Sequence, residues 1–188
     1  WRAVLAAAAI FGVIIGMACF FVLFETHSNP GGSRGTQSPL RDFALLFRNI
    51  RFSAYVFQSG CNSAAFFTMA SASSYLMIDY LGRPAGEYGL YFISFPLGFL
   101  TGSLISSRFA GRIRIETMVC VGSVVMATGA LTQSGFLFAG IVTPLTIFLP
   151  GFLTIIAQGL SLPSAQAGAI NVAGPLAGTA AGIGVFIQ

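Results

Sequence analysis

The chain has 188 residues, of which 55% are hydrophobic and only 7% charged, and its mean hydropathy is +0.84. A soluble domain carries about 25% charged residues, so composition excludes that class and points to an all-α integral membrane protein. The nine basic residues are all arginine, and the net charge of +4 sits in loops between apolar spans, as membrane topology requires. No basic patch interleaved with aromatics exists outside those spans, which argues against a nucleic-acid partner.

The first predicted span covers about Ala3 to Phe24. Its apolar run is longer than the roughly 7–15-residue core of a secretory signal and lacks an A-x-A cleavage site, so it reads as a transmembrane helix. Gly12 and Gly16 form a G-x-x-x-G pair suited to close helix approach. A polar segment follows from Glu25 to Arg51, first rich in Gly, Ser and Pro and then amphipathic. In its second part Ser38 can cap a helix begun by Pro39, with Leu40, Phe43, Leu46, Phe47 and Ile50 on one face and Arg41, Arg48 and Arg51 free to meet lipid phosphates. Three divisions are therefore expected: 1–24, a linker at 25–51, and a helical bundle at 52–188.

The second span, Arg51 to Asp79, has no charge between its ends yet carries many hydroxyls and amides. At roughly 100° per residue, Tyr55, Gln58, Asn62, Ala65, Met69 and Ser73 share a stripe. Polar groups in hydrocarbon must be paired or wetted. The stripe therefore either lines a cavity or forms a helix seam glued by small and polar residues. A third span is expected from Tyr88 to Ser107, kinked at Pro96, then a basic loop from Arg108 to Arg114. A fourth from Ile115 to Thr132 turns at Gln133–Gly135 into a fifth, Phe136 to Leu162, interrupted by Pro144 and Pro150. The stretch 163–173 can be a loop or a helix extension, and a sixth span begins near Gly174 and stops short at Gln188.

Seven arginines follow spans one and three, whereas only Arg2 and Arg83 lie on the opposite side. The positive-inside rule then places the linker 25–51 and the loop 108–114 in the cytoplasm. Cys19, Cys61 and Cys120 each lie within a span without a CxxC partner and read as packing residues, and His27 has no plausible ligand set, so no metal site is expected. A chain opening at Trp1 and ending in an apolar run is expected to be part of something longer.

One helix, a long linker and a block of closely joined helices resemble the middle of a major facilitator superfamily transporter: helix 6, the central loop, and helices 7 to 11. Trp1-Arg2 opening a span that closes with Phe24-Glu25-Thr26 is similar to the drug:proton antiporters. The strings Ser71-Ala72-Ser73-Ser74-Tyr75, Gly102-Ser103-Leu104, Gly159-Leu160-Ser161-Leu162-Pro163 and Ala177-Gly178-Thr179-Ala180 resemble the Bcr/CflA (bicyclomycin and chloramphenicol resistance) efflux group. Gly102, Arg108, Gly111 and Arg112 match part of the superfamily's cytoplasmic gating motif, although Ser106 and Ser107 stand where its acid would be.

The resemblance implies a partial major facilitator fold in the bacterial inner membrane, about six transmembrane helices with the last truncated. It implies export of small, mainly apolar drugs by rocking two repeat bundles about a midplane site. The second and fifth spans would border the central cavity, the third and sixth would lie between the halves, and the fourth would be peripheral. Substrate contact is expected from Tyr55, Gln58, Asn62, Met69, Ser73 and Gln158, with Pro96, Pro144 and Pro150 as flex points. The energy source would be the proton gradient, with no cofactor. Because Glu25, Asp42, Asp79, Glu87 and Glu116 all lie at span ends or in loops, the coupling carboxylate is expected in the missing N-terminal half. An uptake transporter for a small metabolite and a non-transporting membrane scaffold are the competing readings. An enzyme is not expected, since no nucleophile–base pair or metal cluster appears at a span end.

Overall fold

The computed structural model of the chain describes residues 2–22 and 39–188, which form two compact units divided between residues 37 and 38. The expected cap Ser38 and the loop residues Glu25 and His27 lie outside the described residues. Unit one contributes α1 (Arg2–Val22), apolar on every side. Its 21 residues reach about 31 Å at ~1.5 Å each, enough to cross a bilayer core.

Unit two is built of helices joined by short turns. A short amphipathic α2 (Pro39–Arg48) turns at Asn49 into α3 (Ile50–Tyr75). The turn is sharp because the Asn49 side chain accepts from Arg51 N–H at 3.1 Å, a cap that starts a new helix. Of the apolar face expected for α2, Leu46 is buried, whereas Phe43 and Phe47 stay exposed. A π-helical turn (Leu76–Tyr80) closes α3, and Gly82 at φ +64° reverses the chain into α4 (Ala85–Phe92) and α5 (Ser94–Phe109).

The expected kink in the third span is present, but one turn before Pro96. Proline offers no N–H to the Phe92 carbonyl, so the helix parts at Ile93, where Ser94 Oγ donates to Tyr91 O at 2.6 Å. Beyond the basic turn lies α6 (Ile115–Phe138), followed by α7 (Pro144–Ala173), a 3₁₀ turn (Gly174–Leu176) and α8 (Ala177–Ile187).

Two expected boundaries need correction, and one left open is decided. The turn placed at Gln133–Gly135 is helix: α6 runs on to Phe138, because Gly135 sits in open space and the actual breakers are Gly140, at φ +72°, and Pro144. Pro144 consequently does not interrupt a span. It occupies the first turn of α7 behind Thr143, whose side chain and Thr146 form a reciprocal capping box. And residues 163–173 continue α7, despite Pro163, to give one helix of 30 residues. At ~1.5 Å each that is about 45 Å, more than the ~30 Å hydrocarbon core.

Four stretches are long and apolar enough to cross a membrane: Arg2–Phe21, Ala85–Phe109, Ile115–Phe138 and the continuous Pro144–Ile187. The last of these holds two helices, α7 and α8, parted by the 3₁₀ turn at Gly174–Leu176. The more polar α3, with 26 residues, is also long enough to cross at ~1.5 Å each, so the described helices agree with the expected all-α membrane fold. No strand occurs among the described residues.

The hub of unit two is α7, against which α3, α5 and α6 all pack. Small residues make this possible. On α5, Phe95, Gly98, Gly102 and Ser106 are buried at helical spacing, and on α6, Met118, Gly122, Met126 and Gly129. A Cβ on Gly102 would collide with the Ile156 carbonyl and stand 2.9 Å from Leu160 N, so α5 and α7 cross backbone to backbone. Pro163 denies the Gly159 carbonyl its intrahelical donor, and Ser103 Oγ of α5 takes that place at 3.4 Å. Cys61 and Cys120, expected as packing residues, are instead exposed free thiols on the outer faces of α3 and α6.

Candidate functional site

The interior of unit two is layered along α3 and α7. At one end Phe52, Tyr55 and Val56 cluster with Leu46, Ala165, Ala169, Ala173, Ala180 and Ile183. At the other Met69 and Met77 pack with Phe95, Ile147, Phe148 and Ile155. Between these apolar clusters lies a polar band. Asn62 Nδ2 donates to Ser161 Oγ at 2.8 Å, Ser161 Oγ donates to Ala157 O at 2.9 Å, and Gln58 Nε2 donates to Ser123 Oγ at 3.3 Å. Ser106 and Ser164 meet at 3.2 Å on the α5 side. The band therefore ties α3 and α5 to α7, and α3 to α6, with small hydroxyl and amide groups.

Most of the expected substrate residues lie in this packing. Tyr55 stacks its ring over Gly168, where a Cβ would come within 2.7 Å of it. Met69 reaches to 3.1 Å of the corresponding position on Gly151. Ser73, fully buried, donates to Ala70 O at 3.0 Å within its own helix. Asn62, Tyr55 and Met69 of the α3 stripe thus meet α7, whereas Gln58 meets α6.

Gln158 differs. It is only 7% exposed, yet its amide makes no hydrogen bond to another described residue. It opens instead onto a groove of about 580 Å³ between α3, α5 and α7, lined also by Phe66, Phe92, Phe95, Pro96, Phe99, Leu100 and Ile155. Four phenylalanine rings around one amide, with no charge, suit an uncharged aromatic molecule carrying a polar group. Gln158 was expected at a substrate site, but the rings around it were not. Their signal was present: Phe92, Phe95 and Phe99 recur at helical spacing on one face of the third span.

The four residues expected in the gating loop separate in the structure. Gly102 belongs to the interior of α5 at its crossing with α7. Arg108 ends α5, and Gly111, at φ +79°, makes the turn that carries Arg112. Neither arginine pairs with a described carboxylate; the two ion pairs among the described residues are Arg83–Glu87 at 3.7 Å and Arg114–Glu116 at 3.8 Å. Asp42, Glu87 and Glu116 all stand in first turns of their helices and Asp79 in the π turn after α3, so no described carboxylate lies within a helix interior. No group of three His, Cys, Asp or Glu side chains that would hold a metal occurs among the described residues.

No family model matches the chain, and no solved structure matches it. Over 125 residues, 63% of its length, it is 25% identical to the bicyclomycin resistance protein homolog of Haemophilus influenzae. That stretch spans 30% of the relative. The chain is thus a multi-pass, all-α membrane protein similar in sequence to a drug-resistance protein.

Proposed function

We propose that this chain is part of a major facilitator superfamily exporter of the Bcr/CflA type, and that its aromatic groove holds part of the drug. The observation that carries the reading is Gln158: a residue with little exposed surface whose amide bonds no described residue and opens into the groove beside four phenylalanines. A polar group placed in an apolar groove is the kind of feature that orients a ligand. The likeness to a bicyclomycin resistance protein homolog supports the same reading. Substrate contact then falls on Gln158 and the rings, while Asn62 and Gln58 hold the helices together. The mechanism is alternating access across the bacterial inner membrane, with the linker 25–51 and loop 108–114 cytoplasmic. Proton coupling resides on a carboxylate outside this chain.

The test uses the full-length protein in cells stripped of their own efflux pumps. Gln158→Ala removes a neutral hydrogen bond of about 0.5–1.5 kcal/mol, so KM for an uncharged aromatic drug rises about 2- to 12-fold. Unaltered transport kinetics in a normally folded Gln158→Ala protein would overturn the assignment. The chain expressed alone confers no resistance; active efflux by it would place the coupling group here after all.

A further inference from the structure

A second groove, distinct from the aromatic one, opens on the outer face of unit two. Because α3 and α6 both pack mainly along α7 and meet each other at Gln58 and Ser123, a space of about 370 Å³ remains between them, lined by Arg51, Ala54, Tyr55, Arg114, Glu116, Val119, Cys120 and Ser123. That volume falls within the roughly 300–1,000 Å³ typical of small-molecule sites. The polarity of its walls is graded. Both arginines stand at the helix starts, Arg51 in the first turn of α3 and Arg114 as the residue preceding α6. Further along, the walls become Ala54, Val119 and Cys120, and the Ser123 hydroxyl beyond them is engaged by Val119 O and Gln58 Nε2.

Two of the polar groups have no partner among the described residues. The Arg51 guanidinium forms no ion pair with a described residue. The Tyr55 hydroxyl makes no hydrogen bond to one, although Tyr55 is only 7% exposed. Arg114 is shared with Glu116 at 3.8 Å, but its side chain remains 83% exposed, a pairing too solvated to neutralise it.

We propose that this groove is a binding site for an anionic phospholipid. The phosphate sits between the Arg51 and Arg114 guanidiniums with the Tyr55 hydroxyl as a further donor, and the acyl chains descend along Ala54, Val119 and Cys120. A lipid, rather than free phosphate, is the occupant because cationic groups at the mouth of an apolar cleft between two helices match a headgroup joined to hydrocarbon. The site does not depend on what the protein transports.

The experiment is lipid retention by the purified full-length protein, read by native mass spectrometry in mixed phosphatidylglycerol and phosphatidylethanolamine. At about 1 kcal/mol per arginine near the surface, Arg51→Ala with Arg114→Ala weakens phosphatidylglycerol binding about 30-fold and leaves phosphatidylethanolamine unchanged. Arg83→Ala, at the far end of the bundle, has no effect. Two milder variants guard against misfolding: Tyr55→Phe weakens anionic-lipid retention by several-fold, and Glu116→Gln strengthens it by removing the competing carboxylate. Undiminished phosphatidylglycerol retention by the double variant would sink the proposal. So would displacement of the lipid by millimolar inorganic phosphate, which would assign the arginines to a free anion.

Discussion

Replacing Gly102 by alanine puts a methyl group where α5 and α7 touch. Ordinary carbon contacts begin near 3.4 Å, whereas this Cβ would meet the Ile156 carbonyl in outright collision, Leu160 N at 2.9 Å and Gly159 Cα at 3.0 Å. All three obstacles are backbone in the middle of a 30-residue helix, so no side chain can swing aside. The helices must separate by at least half an ångström. Over-packing of this kind costs about 1–3 kcal/mol. The separation also stretches the Ser103–Gly159 hydrogen bond, already 3.4 Å, beyond useful range, adding about 0.6–1.7 kcal/mol by the measured worth of such bonds in membranes. The expected destabilisation is therefore about 2–5 kcal/mol, read as a lowered melting temperature of the full-length protein in detergent. Two glycines calibrate it. Gly98→Ala meets the Phe152 ring at 3.0 Å, a side chain that can tilt away, and costs less. Gly135→Ala enters open space inside α6 and gains up to about 1 kcal/mol of helix propensity. Melting of Gly102→Ala at or above Gly98→Ala would refute the close-crossing argument.

Three further outcomes follow from the same geometry. Asn62→Ala removes the 2.8 Å bond to Ser161 and costs about 0.6–1.7 kcal/mol in the same melting assay, with transport KM unaltered; a raised KM would return Asn62 to the substrate surface. Phe66→Leu deletes one ring from the aromatic groove while keeping an apolar side chain. It raises KM for an aromatic dye about 2- to 12-fold, the equivalent of 0.5–1.5 kcal/mol of ring stacking, and leaves a non-aromatic substrate unaffected. Gly111→Ala forces a side chain into φ +79° at a cost of about 1–2 kcal/mol, visible in denaturant titration, whereas alanine at the neighbouring Arg112 is close to neutral for stability.

Helix existence was legible wherever apolar runs were long, because hydropathy alone sets the span. Boundaries were harder. Gln133-Ser134-Gly135 looks like a turn by composition, yet helix continues through it because nothing opposes it there and Gly140 with Pro144 supply a stronger stop. Proline misled in both directions. Pro144 reads as an interruption but begins a helix, and Pro163 reads as a boundary but sits inside one, since a serine 60 positions away satisfies the carbonyl it frees. That compensation is tertiary and leaves no local trace.

The polar stripe on α3 raises the more general point. Periodicity put Tyr55, Gln58, Asn62, Met69 and Ser73 on one face, and the structure keeps them there. It could not say what the face meets, because a seam and a cavity wall demand the same residue types. The deciding partners, Ser161 for Asn62 and Ser123 for Gln58, lie 99 and 65 positions away. What distinguishes the two positions is access: the Asn62 amide is buried against Ser161, whereas the Gln158 amide bonds no described residue and opens into the groove. One clue to the arrangement did lie in the sequence. From Ala157 to Ala173 the fifth span is dense in Gly, Ala and Ser on every side rather than on one stripe, and a helix small all round has neighbours all round. That pattern marks α7 as the hub.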